Sequence, residues 1–543
     1  MKIIIYISVL SSILINTHVL GQIEPPNGDS LSINNVRAWF ASDGTLDFNQ
    51  NTGEPMYQVP KTSGLSSIFC GALWIGGLDV GGKLHTAAAT YRQNGNDFWP
   101  GPVMNSSNYS AQQDTIWNRL YKVTRSTVDS LKAGYYNGKV PKSILDWPGN
   151  GDVSKGQMPQ LAPYFDGNSN GIYDPDGGPN TDYPLIRGDQ AIYMIYNDDR
   201  GPAHTESGGT KFGFEVHLMS YQFTSADSAL STTTFLHYDI YDRSASTYKN
   251  VYLGNFVDMN ISALEYVGAD TTDSFWYTYS SSPADTFILN SNYGNYPPAQ
   301  ALAYLCDTMK HFIFYYNDFT NMGNPWYDTM YYNYMQSTWG DGKHLTYGDS
   351  GRNASNPNTN FAYTGDPLSG IGWSEVSAKQ PSGDMRGVSS IGPFTFTPGG
   401  SKSFDIALVF AQSPDLGGNL QSVELLKNYV ADVKAFYSSQ SYGCDSGLLG
   451  INELTVQNGE YTVFPNPTKG IINFKSTSRE QLLAGNYVEI YNILGEKVLT
   501  QKLTMVNSQF SIDLNNNPAG LYMYRVLTEK GVYIANGKIM LGK

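Results

Sequence analysis

Short runs in which apolar and polar residues alternate recur through the middle of this chain. The clearest four are FGFEVHLMSYQF (212–223), TTFLHYDIYD (233–242), KHFIFYYND (310–318) and SFDIALVFA (403–411). A period of two residues places successive side chains on opposite faces of an extended chain, so these runs predict β-strands. The chain also contains 40 tyrosines and 24 phenylalanines, residue types that favour strands. We therefore predict a mostly β protein.

Other patterns locate a hairpin and two helices. SIFCGALWIGGLDV (67–80) and KLHTAAATYR (83–92) flank a Gly-Gly pair, which predicts two strands joined by a tight turn. Apolar residues recur at helical spacing over 114–131 and over 422–437, where Ser422 is the expected N-cap. The expected body therefore consists of one or two β-sandwich units with peripheral helices.

Length, charge and cysteine content limit the domain number and the partners. The 543 residues exceed the roughly 250 to 300 that a single core holds, so several domains are expected. The 48 acidic residues outnumber the 34 basic ones, which argues against a nucleic-acid partner. Cys70, Cys306 and Cys444 allow at most one intramolecular disulfide and lack the Cys-x-x-Cys spacing of zinc sites.

Both ends of the chain carry features of an exported protein. Lys2, an apolar run over 3–15 and small residues up to Gly21 follow the order of a secretory signal, so residues 1–21 are the predicted signal peptide. The run is shorter than the ~20 residues of a spanning helix. No transmembrane segment is therefore expected in the mature chain.

A polar, glycine-bearing stretch marks a domain boundary near the C-terminus. We predict a β-rich body over 22–440, a linker over 441–460 and a separate domain over 461–543. In the last segment, strand-like runs are punctuated by glycines, which is typical of a small antiparallel sandwich.

Three motifs in this last segment carry a family resemblance: FPNP (464–467), VEIYNILGEKV (488–498) and IDLNNNPAGLYMYRV (512–526). Their order and spacing resemble the type A C-terminal sorting domain of the type IX secretion system of Bacteroidota. The resemblance implies an immunoglobulin-like β-sandwich that engages the secretion machinery through residues 461–543. It also implies that the body passes through the periplasm and is then secreted or held at the outer cell surface. The body resembles uncharacterised large secreted proteins of the same bacteria, which implies no activity.

A candidate metal site lies in YFDGNSNGIYDPDGG (164–178). Oxygen-bearing residues occupy alternate positions, and Gly171 stands where a helix-loop-helix calcium loop turns sharply. Gly177 replaces the glutamate that usually closes the shell, so Asp176, Asp182 or Asp189 would have to close it. The predicted ligands of a structural Ca²⁺ are Asp166, Asn168, Asn170, the carbonyl of Ile172, Asp174 and Asp176. The alternative is an Asx-rich turn without an ion.

A second acidic cluster occurs in NFVDMNISALEYVGAD (255–270). It contains Asp258, Asn260, Glu265 and Asp270. The pattern fits either a degraded ion site or a solvated loop, and the solvated loop is favoured.

No catalytic residue is predicted. Ser30 lies in a GDSL motif and Ser350 in a GDSG motif, but neither has the preceding strand or the partner histidine that activates a serine. The histidines lack the His-Glu-x-x-His spacing of zinc hydrolases. The aromatic run over 314–347 suits sugar stacking and core packing equally. We expect a non-catalytic surface or secreted module that binds glycan or protein and is stiffened by calcium. The alternative is a secreted hydrolase that acts on polysaccharide.

Overall fold

The computed structural model describes residues 26–136, 138–201, 203–284, 293–440, 442, 461–476, 487–492, 497–502, 509–527 and 533–542. The predicted signal peptide lies outside the described residues, as does the predicted linker except for Tyr442. The chain divides into two compact units, Met1–Gly450 and Ile451–Lys543.

The described residues of the first unit form many strands and fewer helices. The strands are β1 (Gly28–Leu31), β2 (Arg37–Ala41), β3 (Phe48–Asn49), β4 (Glu54–Pro55), β5 (Tyr57–Gln58), β6 (Ile68–Asp79), β7 (Leu84–Ala87), β8 (Trp99–Pro100), β9 (Tyr121–Thr124), β10 (Tyr164–Phe165), β11 (Tyr183–Pro184), β12 (Gln190–Asn197), β13 (Phe214–Gln222), β14 (Thr233–Asp242), β15 (Tyr248–Met259), β16 (Glu265–Asp270), β17 (Phe275–Ser280), β18 (Ala299–Tyr304), β19 (His311–Tyr316), β20 (Met385–Phe396) and β21 (Ser401–Ala411). The α-helices are α1 (Ala111–Trp117), α2 (Arg125–Lys132), α3 (Lys142–Leu145), α4 (Ser228–Ser231), α5 (Asp328–Tyr334) and α6 (Asn419–Ser439), and Ser106–Asn108 and Val153–Lys155 are 3-10 turns.

Two antiparallel sheets dominate this unit. Of the strands above, nine form one sheet in the order β16-β17-β18-β21-β14-β13-β12-β8, with β9 also paired to β12. Five form the other in the order β19-β20-β15-β6-β7. One core contains apolar residues of both sheets, and Trp276 of the first sheet stacks on Phe312 of the second with ring centroids 4.9 Å apart. The mostly β prediction is confirmed, and the arrangement is consistent with a sandwich.

Helix α6 covers the second face of the nine-stranded sheet. Its apolar residues Val423, Leu426 and Val430 belong to the same buried cluster as Ala407 and Val409 of β21. Every residue of β13 and of β14 is therefore buried, although their sequences alternate between apolar and polar residues. The polar side chains of these two strands therefore do not face water. They form buried polar contacts instead.

Several local predictions are confirmed, and two are wrong. The Gly-Gly hairpin is present as β6 and β7, and the second helix is present as α6. The region 114–131 is not one helix, because Tyr121 begins β9 and pairs with Tyr193 of β12. Ser422 is not the N-cap, because α6 begins at Asn419 and its N-cap is Gly418. Ser422 lies inside the first turn of the helix, and its hydroxyl donates to the Pro297 carbonyl at 2.8 Å.

The cysteines and the helices bear on two further expectations. Cys306 is disulfide-bonded, and Cys70 is a free, buried thiol. The partner of Cys306 lies outside the described residues. Among the described helices, none combines the length and the apolarity that crossing a lipid bilayer requires.

The second unit has its own strands and its own core. Its described strands are β22 (Tyr461–Phe464), β23 (Ile471–Ser476), β24 (Tyr487–Asn492), β25 (Lys497–Lys502), β26 (Gln509–Asp513), β27 (Gly520–Leu527) and β28 (Tyr533–Leu541). They form one sheet of order β22-β23-β26 and another of order β25-β24-β27-β28. Both sheets contribute to one core, in which Phe474 stacks on Phe510 at 4.8 Å and meets Tyr524 edge-on. This arrangement is consistent with the predicted small sandwich.

Candidate functional site

A pocket of about 440 Å³ lies at one end of the five-stranded sheet. Because neighbouring strands are antiparallel, β6 and β20 begin at this end, whereas β15 and β19 finish there. The short strands β3 and β4 and the loop after β7 complete the walls. The pocket-lining residues used below are Phe48, Phe69, Tyr91, Asp258, Asn260, Glu265, Asn317, Asp384 and Arg386.

One wall of the pocket is aromatic. Phe48 stacks on Phe69 with centroids 5.4 Å apart, and Tyr91 meets Phe69 edge-on at 6.0 Å. The loop that carries Tyr91 is held in place by the buried carboxylate of Glu206, which accepts hydrogen bonds from the backbone N–H groups of Asn94 and Gly95 at 2.9 and 2.8 Å. Contacts within the protein therefore hold the loop that carries Tyr91. We refer to Phe48, Phe69 and Tyr91 as the aromatic wall.

Another part of the pocket lining is polar. Asp258 and Arg386 face each other across β15 and β20, with Oδ2 and Nη2 3.0 Å apart, and Arg386 also contacts Asp384 at 2.7 Å. Glu265 accepts hydrogen bonds from the backbone N–H groups of Ile261 and Ser262. Hydrogen-bonding groups thus converge on the same space as the aromatic wall.

Burial controls the ionisation of the two inner carboxyl groups. Burial raises the pKa of Asp258 to about 7, even though the neighbouring Arg386 guanidinium lowers it. Burial also raises the pKa of Glu265 well above its usual value, and its two backbone hydrogen bonds offset only part of that rise. A protonated carboxyl group can donate a hydrogen bond, whereas an ionised one only accepts. A carboxyl group with a pKa near neutrality therefore changes its hydrogen-bonding role within the physiological pH range.

The expectation of a solvated loop for this acidic cluster is wrong. Asp258 is 3% exposed and Glu265 is 2% exposed. The reason is that β15 continues through Met259 and β16 begins at Glu265, so that only a short turn separates two strands. Asp270 lies at the far end of β16 and accepts hydrogen bonds from Thr272 and Asp273, away from the other members.

The candidate calcium loop, residues 166–174, is closed by its own polar groups. The Asp166 carboxylate accepts hydrogen bonds from the backbone N–H groups of Asn170 and Gly171 at 3.2 and 2.7 Å. The side-chain amides of Asn168 and Asn170 donate to the two oxygens of Asp174 at 3.1 and 2.9 Å. Four of the six predicted ligand side chains and carbonyls therefore face one another across the loop.

Two other carboxylates near this loop have different roles. Asp182 is buried and pins the loop, since it accepts hydrogen bonds from Gly167 and Asp174. Burial raises its pKa, and the charges of Asp174 and Asp166 add to the rise. Asp176 accepts a hydrogen bond from the backbone N–H of Gly178 within its own turn. Ile172 is exposed and its N–H donates to the Asn170 side chain.

A buried polar row crosses the helix-covered face of the nine-stranded sheet, and sequence reasoning missed it. Arg187 contacts Asp405 at 2.6 Å, and the imidazole of His237 lies 3.1 Å from Asp405 and 3.2 Å from Asp239. The Ser403 hydroxyl donates to Asp239. The sequence did contain a sign of this row, because polar residues alternate with apolar ones in β14 and β21. We refer to these five residues as the polar row.

The two serine motifs lie in settings that do not activate a hydroxyl. Ser30 is in β1 and pairs with Trp39, and its buried hydroxyl has no hydrogen-bond partner among the described residues. Ser350 lies in a turn after His344, whose Nδ1 is 2.9 Å from the carbonyl oxygen of Leu345. The aromatic run over 314–347 is divided between core residues and exposed rings.

The motifs of the second unit hold its strands together. The Asn466 side chain donates to the Lys538 carbonyl at 2.7 Å and accepts from the Met540 N–H at 2.8 Å, so FPNP is fixed to the last strand. Glu489 accepts hydrogen bonds from Lys497 and Arg525, which ties the second motif to the third. The first motif is thus bonded to the last strand, and the second motif is bonded to the third.

Comparison with known proteins gives a family for this unit alone. Residues 462–540 match the family model described as a secretion system C-terminal sorting domain. No curated protein matches the chain. One solved structure with some likeness is a polysaccharide lyase at 7% identity and a TM-score of 0.18, with 67% of this chain and 37% of the lyase covered. A TM-score this low carries no argument.

The family match covers the same residues as the three motifs and the two small sheets. A C-terminal sorting domain directs the protein that carries it to the type IX secretion machinery. The protein is therefore exported to the medium or to the outer cell surface. This chain is a cargo protein of the type IX secretion system with a type A sorting tail.

Proposed function

We propose that the exported body is a non-catalytic module that binds a neutral carbohydrate in the pocket at the end of the five-stranded sheet. The observation that supports this most directly is the pairing of the aromatic wall with hydrogen-bonding side chains across one pocket of about 440 Å³. The apolar face of a sugar ring packs on aromatic rings, and its hydroxyl groups take hydrogen bonds from polar side chains.

The charges in the pocket favour a neutral ligand over an acidic one. Asp258, Glu265 and Asp384 supply three carboxyl groups, against the single guanidinium of Arg386. That guanidinium already contacts both aspartates. Because Arg386 is already paired in this way, a uronate or phosphate would find no further cation among the described residues that line the pocket.

We also propose that the loop over 166–174 binds a structural calcium ion. Asp166 and Asp174 supply two carboxylates, and Asn168 and Asn170 supply amide oxygens once their amides rotate. This is the hard oxygen donor set that Ca²⁺ prefers. The proposal draws on the mutual repulsion of Asp166, Asp174 and Asp182, which a cation would relieve. Asp182 closes the loop through the backbone rather than as a ligand.

The carbohydrate proposal is tested by titration calorimetry of the full chain with neutral and acidic oligosaccharides. We expect binding of neutral oligosaccharides, and Tyr91→Ala should weaken it roughly five- to thirtyfold because the variant removes one ring of the aromatic wall. Tyr135→Ala is the matched control, because Tyr135 is 76% exposed and does not line the pocket. Equal affinities for wild type and Tyr91→Ala would contradict the assignment of the pocket.

A second candidate function, hydrolysis of a polysaccharide, is favoured by one observation. Asp258 and Glu265 both have a raised pKa, and glycosidases use a carboxyl group that keeps its proton as a general acid beside a second carboxylate. We rank binding first because Asp258 is engaged by Arg386 and Glu265 by two backbone N–H groups. Release of reducing ends by wild type but not by Glu265→Gln would favour the hydrolase.

A further inference from the structure

Two exposed aromatic rings lie on the loop that follows β19. Phe319 is 81% exposed and Trp326 is 40% exposed, and their rings stack with centroids 5.4 Å apart and planes 23° apart. Large aromatic side chains of this kind are usually buried, and a flat, paired surface of exposed rings is a common mark of a binding site. We refer to Phe319 and Trp326 as the aromatic platform.

The backbone beneath the platform is fixed by hydrogen bonds. Asp318 accepts from the N–H and the hydroxyl of Thr320 at 2.8 and 2.7 Å. The buried hydroxyl of Tyr334 donates to the Gly323 carbonyl at 2.6 Å. Little conformational entropy of the loop is therefore lost when a ligand stacks on these rings.

The loop that carries the platform is hydrogen-bonded to the pocket lining and to the loop that carries Tyr91. Asn317, which lines the pocket, accepts a hydrogen bond at 3.0 Å from Asn324, two residues before Trp326. The Asn94 side chain donates to the Pro325 carbonyl at 3.4 Å, and Asn94 belongs to the same loop as Tyr91 of the aromatic wall. The platform and the pocket thus share supporting residues, so one extended ligand can contact both.

The surroundings favour a carbohydrate over an apolar protein surface. Asp318 precedes the first ring, and the residues between the two rings include Thr320, Asn321 and Asn324, so that hydrogen-bonding side chains flank the platform. A sugar ring covers an aromatic face while its hydroxyl groups remain available to such neighbours and to water. A protein interface of useful affinity needs a larger apolar centre.

We propose that Phe319 and Trp326 form a second subsite, so that the ligand is a polysaccharide chain with one sugar in the pocket and a neighbouring sugar on the platform. This inference rests on the proposed carbohydrate-binding function. It predicts that affinity rises with chain length. The rise should depend on the platform, because only a chain that extends beyond the pocket reaches the two rings.

The test is titration calorimetry of the full chain with cello-, xylo-, manno- and laminarihexaose, and with the disaccharide of each hexaose that binds. Trp326→Ala and Phe319→Ala should weaken hexaose binding roughly five- to thirtyfold and leave disaccharide binding unchanged. Tyr91→Ala should weaken both. Tyr135→Ala, which removes an exposed ring elsewhere, should change neither. Because Phe319 and Trp326 are exposed, their variants should retain the wild-type melting temperature.

The outcomes separate the two proposals. If Tyr91→Ala weakens hexaose binding and the platform variants do not, the second subsite is overturned and the pocket stands. If the platform variants weaken binding and Tyr91→Ala does not, the pocket assignment fails and the platform alone binds. If no hexaose binds to the wild-type chain, both proposals are overturned.

Discussion

The Oδ2 atom of Asp258 lies 3.0 Å from Nη2 of Arg386, and the two residues face each other on adjacent strands and line the pocket. The pair is 3% and 5% exposed, so little water reaches it. Burial outweighs the guanidinium in its effect on the carboxyl group, whose pKa rises to about 7. Pocket charge and protein stability are therefore both linked to pH through Asp258.

We predict that Asp258 lowers the stability of the body as the pH rises from 4 to 7. The unfolded chain loses the Asp258 proton near pH 4, whereas the folded protein holds it to about pH 7. Over that interval the folded state binds more protons, so deprotonation favours unfolding, and above pH 7 the effect is constant. The pKa difference corresponds to ~4 kcal/mol.

This prediction is measured by urea unfolding of wild type and Asp258→Asn between pH 4 and 8. All nine tryptophans lie between Trp39 and Trp373, so tryptophan fluorescence reports on the body alone. The stability of wild type relative to the variant should fall across the interval. Asp432→Asn, at an exposed position of α6, is the control and should follow wild type. Parallel profiles for wild type and Asp258→Asn would refute the prediction.

A second prediction concerns His237 in the polar row. Burial lowers the pKa of this imidazole, but the carboxylates of Asp405 and Asp239 outweigh burial and raise it to about 9. The folded-state pKa lies above the usual 6.5. The stabilisation is therefore fully present below pH 6.5 and is lost as the pH rises through 9. The difference corresponds to ~3 kcal/mol.

His237→Gln should remove this pH dependence. The free energy of unfolding of wild type should exceed that of the variant most strongly below pH 6.5, and the gap should shrink by pH 9. His344→Gln, which replaces a histidine outside the polar row, is the matched control and should keep the wild-type profile. A gap that stays constant from pH 6 to 9 would show that folding does not shift the pKa of His237, which would refute the prediction.

Local sequence patterns predicted the strands well because period-two alternation is a property of neighbouring residues. The runs over 233–242 and 403–411 became β14 and β21 almost residue for residue. The same patterns did not show that both faces of these strands are covered. The covering of the second face depends on α6, which lies at the end of the body. This covering explains why His237 and Asp405 are buried rather than solvated.

The pocket could not be predicted because its walls come from distant parts of the chain. Phe48, Tyr91, Asp258, Asn317 and Arg386 belong to five separate segments that meet only where the strand ends converge. The candidate calcium loop and the sorting motifs could be singled out for the opposite reason. Each is contiguous, so its spacing is visible in the sequence.

A third prediction tests calcium binding at the loop over 166–174. In several millimolar calcium, an extracellular-type site should stabilise the folded chain by roughly 1 to 3 kcal/mol relative to chelator. Asp174→Asn removes one ligand charge and keeps the side-chain size, so most of that gain should vanish. Asp166→Ala is a less clean variant, because it also removes two hydrogen bonds to backbone N–H groups.

Thermal melts in calcium and in chelator measure this effect for wild type, Asp174→Asn and the exposed control Asp432→Asn. The control should respond to calcium as wild type does. The loop over 166–174 would be an Asx-rich turn without an ion if calcium does not change the wild-type melting temperature and native mass spectrometry detects no bound ion.

The last prediction concerns export. Deleting residues 461–543 removes a unit with its own core and the sorting motifs, and it leaves the sheets of the body intact. The truncated body should therefore fold, with the tryptophan-detected melting temperature of the full chain, but it should accumulate in the periplasm. Immunoblots of periplasmic, surface and medium fractions measure this, with a periplasmic marker as the control for leakage.

Conversely, residues 461–543 fused to a periplasmic reporter should carry the reporter out of the cell. Normal export of the truncated chain would mean that the body itself carries the address, and retention of the reporter would mean that the tail needs additional signals from the body.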